Sequence, residues 1–504
     1  MLNRRTVLTS SAALLALSGS GVHILAAAQS AGSPSSAITI GMSLEPPSLD
    51  PTANAASSVG EITLYNIYET LTKINADGSV SPLLAESWEV SPDLKTYTFK
   101  LRKEARFHNG EPFNAEAVKF SFDRAKAANS TNKDKATFAK LNTDVIDDHT
   151  VRITNTDVEP ELLFMLGQAT AAIVEPKSAA KNASAPTGTG PYQLARWSRG
   201  TSLQLKRWDE HPRANQLRIQ NATFRFISDP AAQVASLLAG DVDVFPRVSP
   251  RSVRQFESNK DYQVIVSGSR AKTILAINNR RKPLNDLRVR QAIAAAIDRR
   301  VVIDGAGDGY GAAIGSHYVP GAFGFVDTTG INAYDPEKAI RLLQEAGVKT
   351  PLKLRIALPP TPYARQGGIV IASMLAKVGI DAELDNVEWA QWLNNVMGKH
   401  QFDMTLISHV EPFDLGNYAN PQYYWGYDSE PFQKLFEQIK TATQPAERAR
   451  LLGSAQRQIA EDSVNAFLYQ PQWVTVANKN VRGLWRDMPV FVNDLSTLRW
   501  SGAN

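Results

Sequence analysis

FDMTLISHVEPFDLGNYANPQYYWGYD, Phe402 to Asp428, is the stretch on which the fold turns. It opens as a short apolar run through Met404, Leu406 and Ile407, which reads as a buried strand. It then changes abruptly into His409, Glu411, Asp414, Asn417 and the aromatics Tyr418, Tyr423, Tyr424, Trp425 and Tyr427. Pro412 and Pro421 restrict the loop backbone. A strand that delivers carboxylates and rings into a stiff loop is how open α/β sheets build ligand crevices. Aromatic walls with a few placed charges suit a small polar organic ligand. The same rings also suit a local core beneath a surface loop, so both readings of Tyr424 and Trp425 stand at this point.

Outward from this stretch, strands and helices alternate. Thr223 to Ile227 reads as a strand, and Asp229-Pro230 as an N-cap with proline in the first turn. The helix that follows runs to Ala239 and stops at Gly240, before a strand at Asp241 to Phe245. This β-α-β unit implies a parallel sheet with a right-handed crossover. The pattern repeats with strands at Thr273–Ile277, Leu352–Leu358 and Ala382–Val387. A helix from Asp286 through Val301, one after Asp335-Pro336 and one over Ala364–Val378 lie between them. Helices over Glu430–Thr443 and Pro445–Asp462 precede two strands, Ala466–Tyr469 and Trp473–Ala477. A doubly wound α/β region is expected here.

The earlier part differs. Tyr65–Leu71 reads as helix, and Trp88–Val90, Thr96–Leu101 and Arg106-Phe107 as antiparallel strands. Asn114 caps a helix over Ala115–Ala127, and Val145–Ile153 reads as a hairpin. Residues 57–185 therefore form a self-contained α+β block, closed by the loop-rich KNASAPTGTG at Lys181–Gly190. The Gly188-Thr189-Gly190 run is a tight turn rather than a phosphate loop, because no Lys-Ser/Thr follows it and a strand comes next. Upstream, the first strand, Ile38–Met42, runs into the proline-stiffened Glu45-Pro46-Pro47, which places Glu45 either at a crevice or in a solvated turn.

At 504 residues the chain is too long for one core, and two or three domains are expected. The formal net charge is +4, of which Arg4 and Arg5 supply two. No dense Lys/Arg stripe occurs, which predicts no nucleic-acid partner. Asn3-Arg4-Arg5-Thr6-Val7-Leu8, a modest apolar run and Ala26-Ala27-Ala28 together read as a twin-arginine signal peptide over residues 1–28. Export to a bacterial periplasm follows as the expectation. No run reaches the ~18 apolar residues of a membrane span. Cysteine is absent, which excludes disulfides, thiolate metal sites, a cysteine nucleophile and a lipoprotein anchor. A soluble, unanchored monomer is expected, with no cofactor and no resident metal.

Four blocks carry a family resemblance. Leu84-Ala85-Glu86-Ser87-Trp88 with Phe107–Phe113 and Val118–Ser121 is the first, and Gly188-Thr189-Gly190-Pro191-Tyr192 the second. Asp241-Val242-Asp243-Val244 after the Asp-Pro helix is the third. Arg288–Ile293 with Ala296-Ile297-Asp298-Arg299 is the fourth. In order and spacing they resemble the family 5 extracellular solute-binding proteins of ABC importers, the dipeptide, oligopeptide and nickel-binding group, over about residues 38–485. The resemblance implies a type II periplasmic binding protein fold: two hinged lobes with an extra α+β subdomain inserted in the first. Lobe 1 would comprise residues 38–56, 186–269 and 481–504, the insertion 57–185, and lobe 2 residues 270–480.

The implied function is capture of a peptide or related small polar solute and delivery to an inner-membrane ABC permease. Dipeptide-binding relatives carry Gly-Trp-x-x-Asp after a strand, where the aspartate takes the ligand ammonium. Here Ser408-His409-Val410-Glu411-Pro412 falls in that place, so Glu411 would take the carboxylate role and His409 the tryptophan place. Relatives hold the ligand carboxylate with an arginine and a tyrosine before a helix; Tyr363 and Arg365 lie in that region. Trp425 or Tyr424 would stack on ligand, and Glu45 is a further candidate. Peptides, opine-like conjugates, oligosaccharides and chelated nickel all occur as ligands in the family. The rival class is a periplasmic hydrolase, peptidase or glycosidase, with Glu411 and Asp414 as a carboxylate pair. Against it, the chain has no H-E-x-x-H and no G-x-S-x-G.

Overall fold

The computed structural model describes residues 36–54 and 56–502; the expected signal peptide lies outside them. Everything is organised on a sheet of twelve strands. From one edge the order is Ile380–Asn386, Leu352–Leu358, Met404–His409, Lys272–Ile277 and then Asn465–Asn478. It continues through Val244–Phe245, Ala37–Met42, Asn221–Phe226, Ser202–Arg207 and Tyr192–Ser198.

Asn465–Asn478 is the joint. The sequence predicts two strands here, interrupted at Pro471, but the structure has one strand of 14 residues. Its first part pairs with Lys272–Ile277 (Leu275 opposite Ala466) and its second with Tyr262–Gly268 (Ser267 opposite Trp473). On its other edge Gly311–Ala313 pairs with residues 469–471, and Val244–Phe245 with Val476 and Ala477. Pro471 donates no ladder hydrogen bond, and it sits where the strand exchanges one set of partners for the other. The link Ser269–Ala271, between Tyr262–Gly268 and Lys272–Ile277, crosses beside it. The two half-sheets thus share two adjacent crossings.

The second half-sheet is buried on both faces. Alternate residues of Lys272–Ile277 feed separate cores: Leu275 and Ile277 pack with Val289, Ile293 and Ile371, while Ile274 and Ala276 pack with Tyr418, Trp425 and Phe467. Helix Pro362–Lys377 crosses between the parallel strands Leu352–Leu358 and Ile380–Asn386, and Gly379 (φ +85°) makes the turn out of it. The predicted helix from Asp286 to Val301 is two helices, Leu287–Ala295 and Arg299–Ala306. The first ends at Ala295, and Asp298 caps the second by accepting from the Arg300 amide at 2.9 Å.

In the first half, Ala37–Met42 runs parallel to Asn221–Phe226, with Pro230–Leu238 as the expected Asp229-capped crossover. The α+β block carries its own four-stranded sheet, Ala85–Val90, Thr96–Leu101, Thr150–Asn155 and Leu141–Asp147. Helix Ala115–Lys126 covers it over a core of Phe99, Phe113, Phe122 and Ile153. Arg106-Phe107 is not a strand of this sheet; Arg106 makes one isolated bridge to Pro112.

The expected helix at Tyr65–Leu71 is absent; the helix lies earlier, at Ser57–Thr63. Tyr65 takes a left-handed turn (φ 59°), and its buried hydroxyl donates to the Gly167 carbonyl and accepts from the Ile74 amide. Those tertiary bonds override the helical pattern. The Gly188–Gly190 loop lies on this turn. A Cβ on Gly190 would fall 2.3 Å from the Asn66 carbonyl oxygen, and the Gly190 amide donates to Ile67. Its glycines serve close backbone approach. The C-terminal tail returns to the same place: the Leu495 amide donates to Asn66 Oδ1, and Asp494 pairs with Lys73 at 2.6 Å.

Candidate functional site

A cleft of about 460 Å³ opens where the half-sheets meet. Its floor is the pair of crossings, through Ser269, Arg270, Ala271 and Trp473. The α+β block supplies Lys133, Asp134, Glu159 and Met165, and the tail supplies Met488–Phe491. The second half supplies Val410–Phe413, the loop leaving strand Met404–His409. The opening stretch of the sequence analysis therefore does reach a cleft, but with its loop and not with its rings.

Glu411 lines this cleft, and its side chain is 64 % exposed. Its carboxylate accepts only from the Val410 amide, at 3.1 Å, among the described residues. The loop is held from beneath by a buried polar cluster. The Lys272 ammonium donates to the Glu411 backbone carbonyl and to Asp414 Oδ1, and His317 Nε2 meets Asp414 Oδ2 at 2.8 Å. Burial alone would raise the Asp414 carboxyl, but the Lys272 cation and the His317 donor outweigh it and hold it well below the usual carboxylate range. Burial pushes both His317 and His409 down, the latter to about 3, so both rings are neutral.

His317, His409 and Asp414 converge closely enough to resemble a metal-ligand set. The Lys272 ammonium already neutralises Asp414, however, and a divalent ion would face that cation at close range. The cluster therefore works as a latch that fixes the Glu411–Phe413 loop.

The other candidates lie elsewhere. His409 is buried, donating or accepting through Nε2 at the Tyr424 hydroxyl, 2.9 Å away. Tyr424 and Trp425 are fully buried and pack with Tyr418, whose ring stacks on Trp425 at 4.5 Å. They are core, the alternative left open by the sequence. Tyr363 accepts the Ser408 amide at 3.0 Å and so pins the end of strand Met404–His409. Arg365 is exposed and reaches Glu388 at 3.5 Å. Glu45 accepts from Trp197 Nε1 and from the Gly200 amide, both at 2.9 Å. None of these six side chains lines the cleft. The carboxylate pair of the hydrolase reading does not form, since Asp414 is consumed by Lys272 and His317 while Glu411 faces the cleft.

Arg270, Trp473, Glu159 and Phe413 line the cleft without having been singled out in the sequence. One signal was available for the latch: Lys272 opens an otherwise apolar strand, KTILAI, and a buried lysine demands a carboxylate. Two contacts bridge the halves over the cleft. Phe413 meets Phe164 edge to face, and Arg448 of helix Pro445–Glu461 pairs with Glu161 beside helix Leu162–Met165.

Two half-sheets that share a double crossing, with a charged cleft over that crossing, define the class of a hinged solute receptor. The profile of the bacterial extracellular solute-binding proteins, family 5 (middle), matches residues 79–431, and the chain belongs to that family. It is 29 % identical over 425 residues to the dipeptide-binding protein of Escherichia coli K12, covering 75 % of this chain and 78 % of that one. It is also similar to the solved structure of AgaA in complex with agropinic acid, from A. tumefaciens R10. That match has a TM-score of 0.74 and 26 % identity, over 93 % of this chain and 99 % of the other. HbpA2 from Haemophilus parasuis shares the fold at a TM-score of 0.84 and 21 % identity, over 92 % and 100 % of the two chains. The fold is the expected type II periplasmic binding protein fold, and the protein is a substrate-binding component of an ABC importer.

Proposed function

We propose that the mature protein is a monomeric, unanchored receptor of the periplasm, exported by its N-terminal twin-arginine signal. It captures a zwitterionic peptide or amino-acid conjugate and delivers it unchanged to an inner-membrane permease. The observation that carries this reading is the cleft itself, lined from both halves directly above the shared strand Asn465–Asn478. A solute bound there touches both lobes, so it favours the closed arrangement only as far as it binds that arrangement better.

The division into lobes follows the strand pairing. Residues 38–56, 186–268 and 472–502 form the first lobe with 57–185 inserted, and residues 272–471 the second. The pairing of residues 472–478 with Tyr262–Gly268 supports setting the boundary within the shared strand rather than at residue 480. Glu411 is the ammonium partner, supported by its exposed carboxylate in the cleft and by the latch that fixes its backbone. Glu159 faces the same space, and burial raises its carboxyl, which a ligand cation would reverse.

The names of relatives point to two ligand classes, dipeptides and an opine-type conjugate. The test is mass spectrometry of solute co-purified from periplasm under native conditions. A peptide or amino-acid conjugate at near-unit occupancy supports the reading. Recovery of a cleaved product from supplied intact solute would instead favour the hydrolase.

A further inference from the structure

Among the described residues, two donor side chains at the cleft floor make no hydrogen bond. Arg270 lies in the three-residue link between the half-sheets, lines the cleft and is only partly exposed. Among the described residues its guanidinium makes no hydrogen bond and no ion pair. Tyr318, Asp487 and Glu161 influence it only at longer range; the Tyr318 hydroxyl donates to the Phe323 carbonyl, and Glu161 is taken by Arg448. A half-buried guanidinium with five donors and no partner is costly, and burial pushes its pKa down accordingly. Gly78 keeps the space beside it clear: a Cβ there would fall 2.4 Å from Arg270 Nη2.

Trp473 lies on the other crossing, two residues beyond Pro471 in the shared strand. Its ring packs against Phe491, and its indole N–H is buried without an acceptor. Trp473 lines the same cleft as Arg270. A buried donor left unsatisfied is costly, and one that borders a cleft can be relieved by a ligand acceptor.

We propose that Arg270 and the Trp473 indole N–H form the receptor for a ligand carboxylate at the hinge. This rests on the solute-receptor reading above and deepens it, because it fixes the ligand's polarity. A carboxylate offers two oxygens and about four lone pairs, enough for a guanidinium fork and an indole donor together. The rest of the wall is net acidic, with Glu411, Glu159 and Asp134 against the single cation Lys133, so the ligand's cationic group points away from the floor. The substrate class is therefore a zwitterion with its carboxylate inward. The sequence-based carboxylate candidates, Tyr363 and Arg365, are already engaged with Ser408 and Glu388. The carboxylate would also join the two chain crossings, which makes its binding part of closure.

The test uses the full mature protein and a matched panel of dipeptides and amino-acid–sugar conjugates, each as free acid and as primary amide. Binding is read by thermal shift and calorimetry. The expected result is that free acids bind and their amides bind at least tenfold more weakly. Arg270→Gln should reduce free-acid affinity by about 30-fold or more and abolish the preference for acid over amide. Trp473→Phe keeps the ring and removes only the donor, and should reduce free-acid affinity about tenfold while sparing the amides. Should Arg270→Gln fold poorly, Trp473→Phe alone decides. Equal binding of acids and amides to the wild type, or an unchanged preference in the variants, would overturn the carboxylate assignment while leaving the solute receptor intact. Failure of every acid and every amide would sink the solute reading of this cleft, and this inference with it. The relative affinity of the two halves of the panel separates peptides from conjugates.

Discussion

Phe413, on the loop after strand Met404–His409, meets Phe164 of the α+β block edge to face, with ring centroids 4.9 Å apart and planes at 88°. Phe413 lines the cleft and Phe164 belongs to the block that faces it, so this contact exists only when the two sides are together. An edge-to-face pair is worth about 0.5–1.5 kcal/mol beyond its buried area. Phe413→Ala is expected to weaken solute binding about 3–10-fold, by favouring the open arrangement. Calorimetry reads the affinity, and small-angle scattering of the unliganded variant should show a larger radius of gyration. An unchanged affinity would mean that the contact adds nothing to closure.

Glu411 is the charge assigned to the ligand ammonium. Glu411→Gln should cost about 2–5 kcal/mol of binding to a zwitterionic solute, or roughly 30-fold and upward, since the ammonium is then stranded in a partly dry cleft. Arg365→Ala serves as the contrast. Arg365 is exposed, pairs with Glu388 and does not line the cleft, so its removal is expected to change affinity by less than about twofold. Titration of both variants with the same dipeptide separates the two positions.

The latch beneath the loop has a different signature. Lys272→Met leaves Asp414 charged and buried with one neutral partner, and breaking such a pair costs about 3–5 kcal/mol of stability. The urea midpoint should fall accordingly, with the slope of the transition unchanged. A loss below about 1 kcal/mol would show that Lys272 does not compensate Asp414 in solution.

The buried histidines set the acid side of the stability curve. Burial pushes His108 down to about 4 and His409 to about 3, and lowers His317 as well. The unfolded chain protonates each near 6.5, so between about pH 6.5 and 4 it holds more protons than the folded chain. Stability therefore falls as pH drops through that window, by about 1.4 kcal/mol per pH unit for each histidine. The depressed carboxyl of Asp414 acts in the same direction lower down, its contribution being lost as pH falls below about 4. Urea midpoints measured from pH 7.5 to 4.5 test this. His108→Asn, which removes a ring lodged between the Gly188 amide and the Gly190 carbonyl, should flatten the slope by about a third.

Much of the architecture was legible because its signals are local. Asp229-Pro230 and Asp335-Pro336 cap the helices that periodicity predicts, and the helix expected over Ala364–Val378 gives way at Gly379 to the next strand. Tertiary bonds decided the rest. Tyr65 is drawn out of a helical pattern by Gly167, about a hundred residues away. Pro471 reads as a break, yet the strand continues because its neighbours change at that residue. That the loop carrying Glu411 reaches the cleft was legible because it follows a recognisable strand. Tyr424 and Trp425 were ambiguous, since a ring looks the same in sequence whether it faces a ligand or a core. Arg270 and Trp473 carried no local signal, because what distinguishes them is the absence of a hydrogen-bond partner among the described residues, which only the folded chain reveals.

Hinged closure on a solute is the central claim, and the absence of cysteine makes it directly measurable. Glu89→Cys in the α+β block and Glu383→Cys on the far edge strand place two dyes on opposite halves, both at exposed positions. Single-molecule energy transfer between them should show a longer, broader distance distribution without solute. Saturation with whichever dipeptide or conjugate most raises the melting temperature should give a shorter, narrow one. A distance that stays unchanged at saturation, with binding verified in the same sample, would contradict a receptor that closes about the strand Asn465–Asn478.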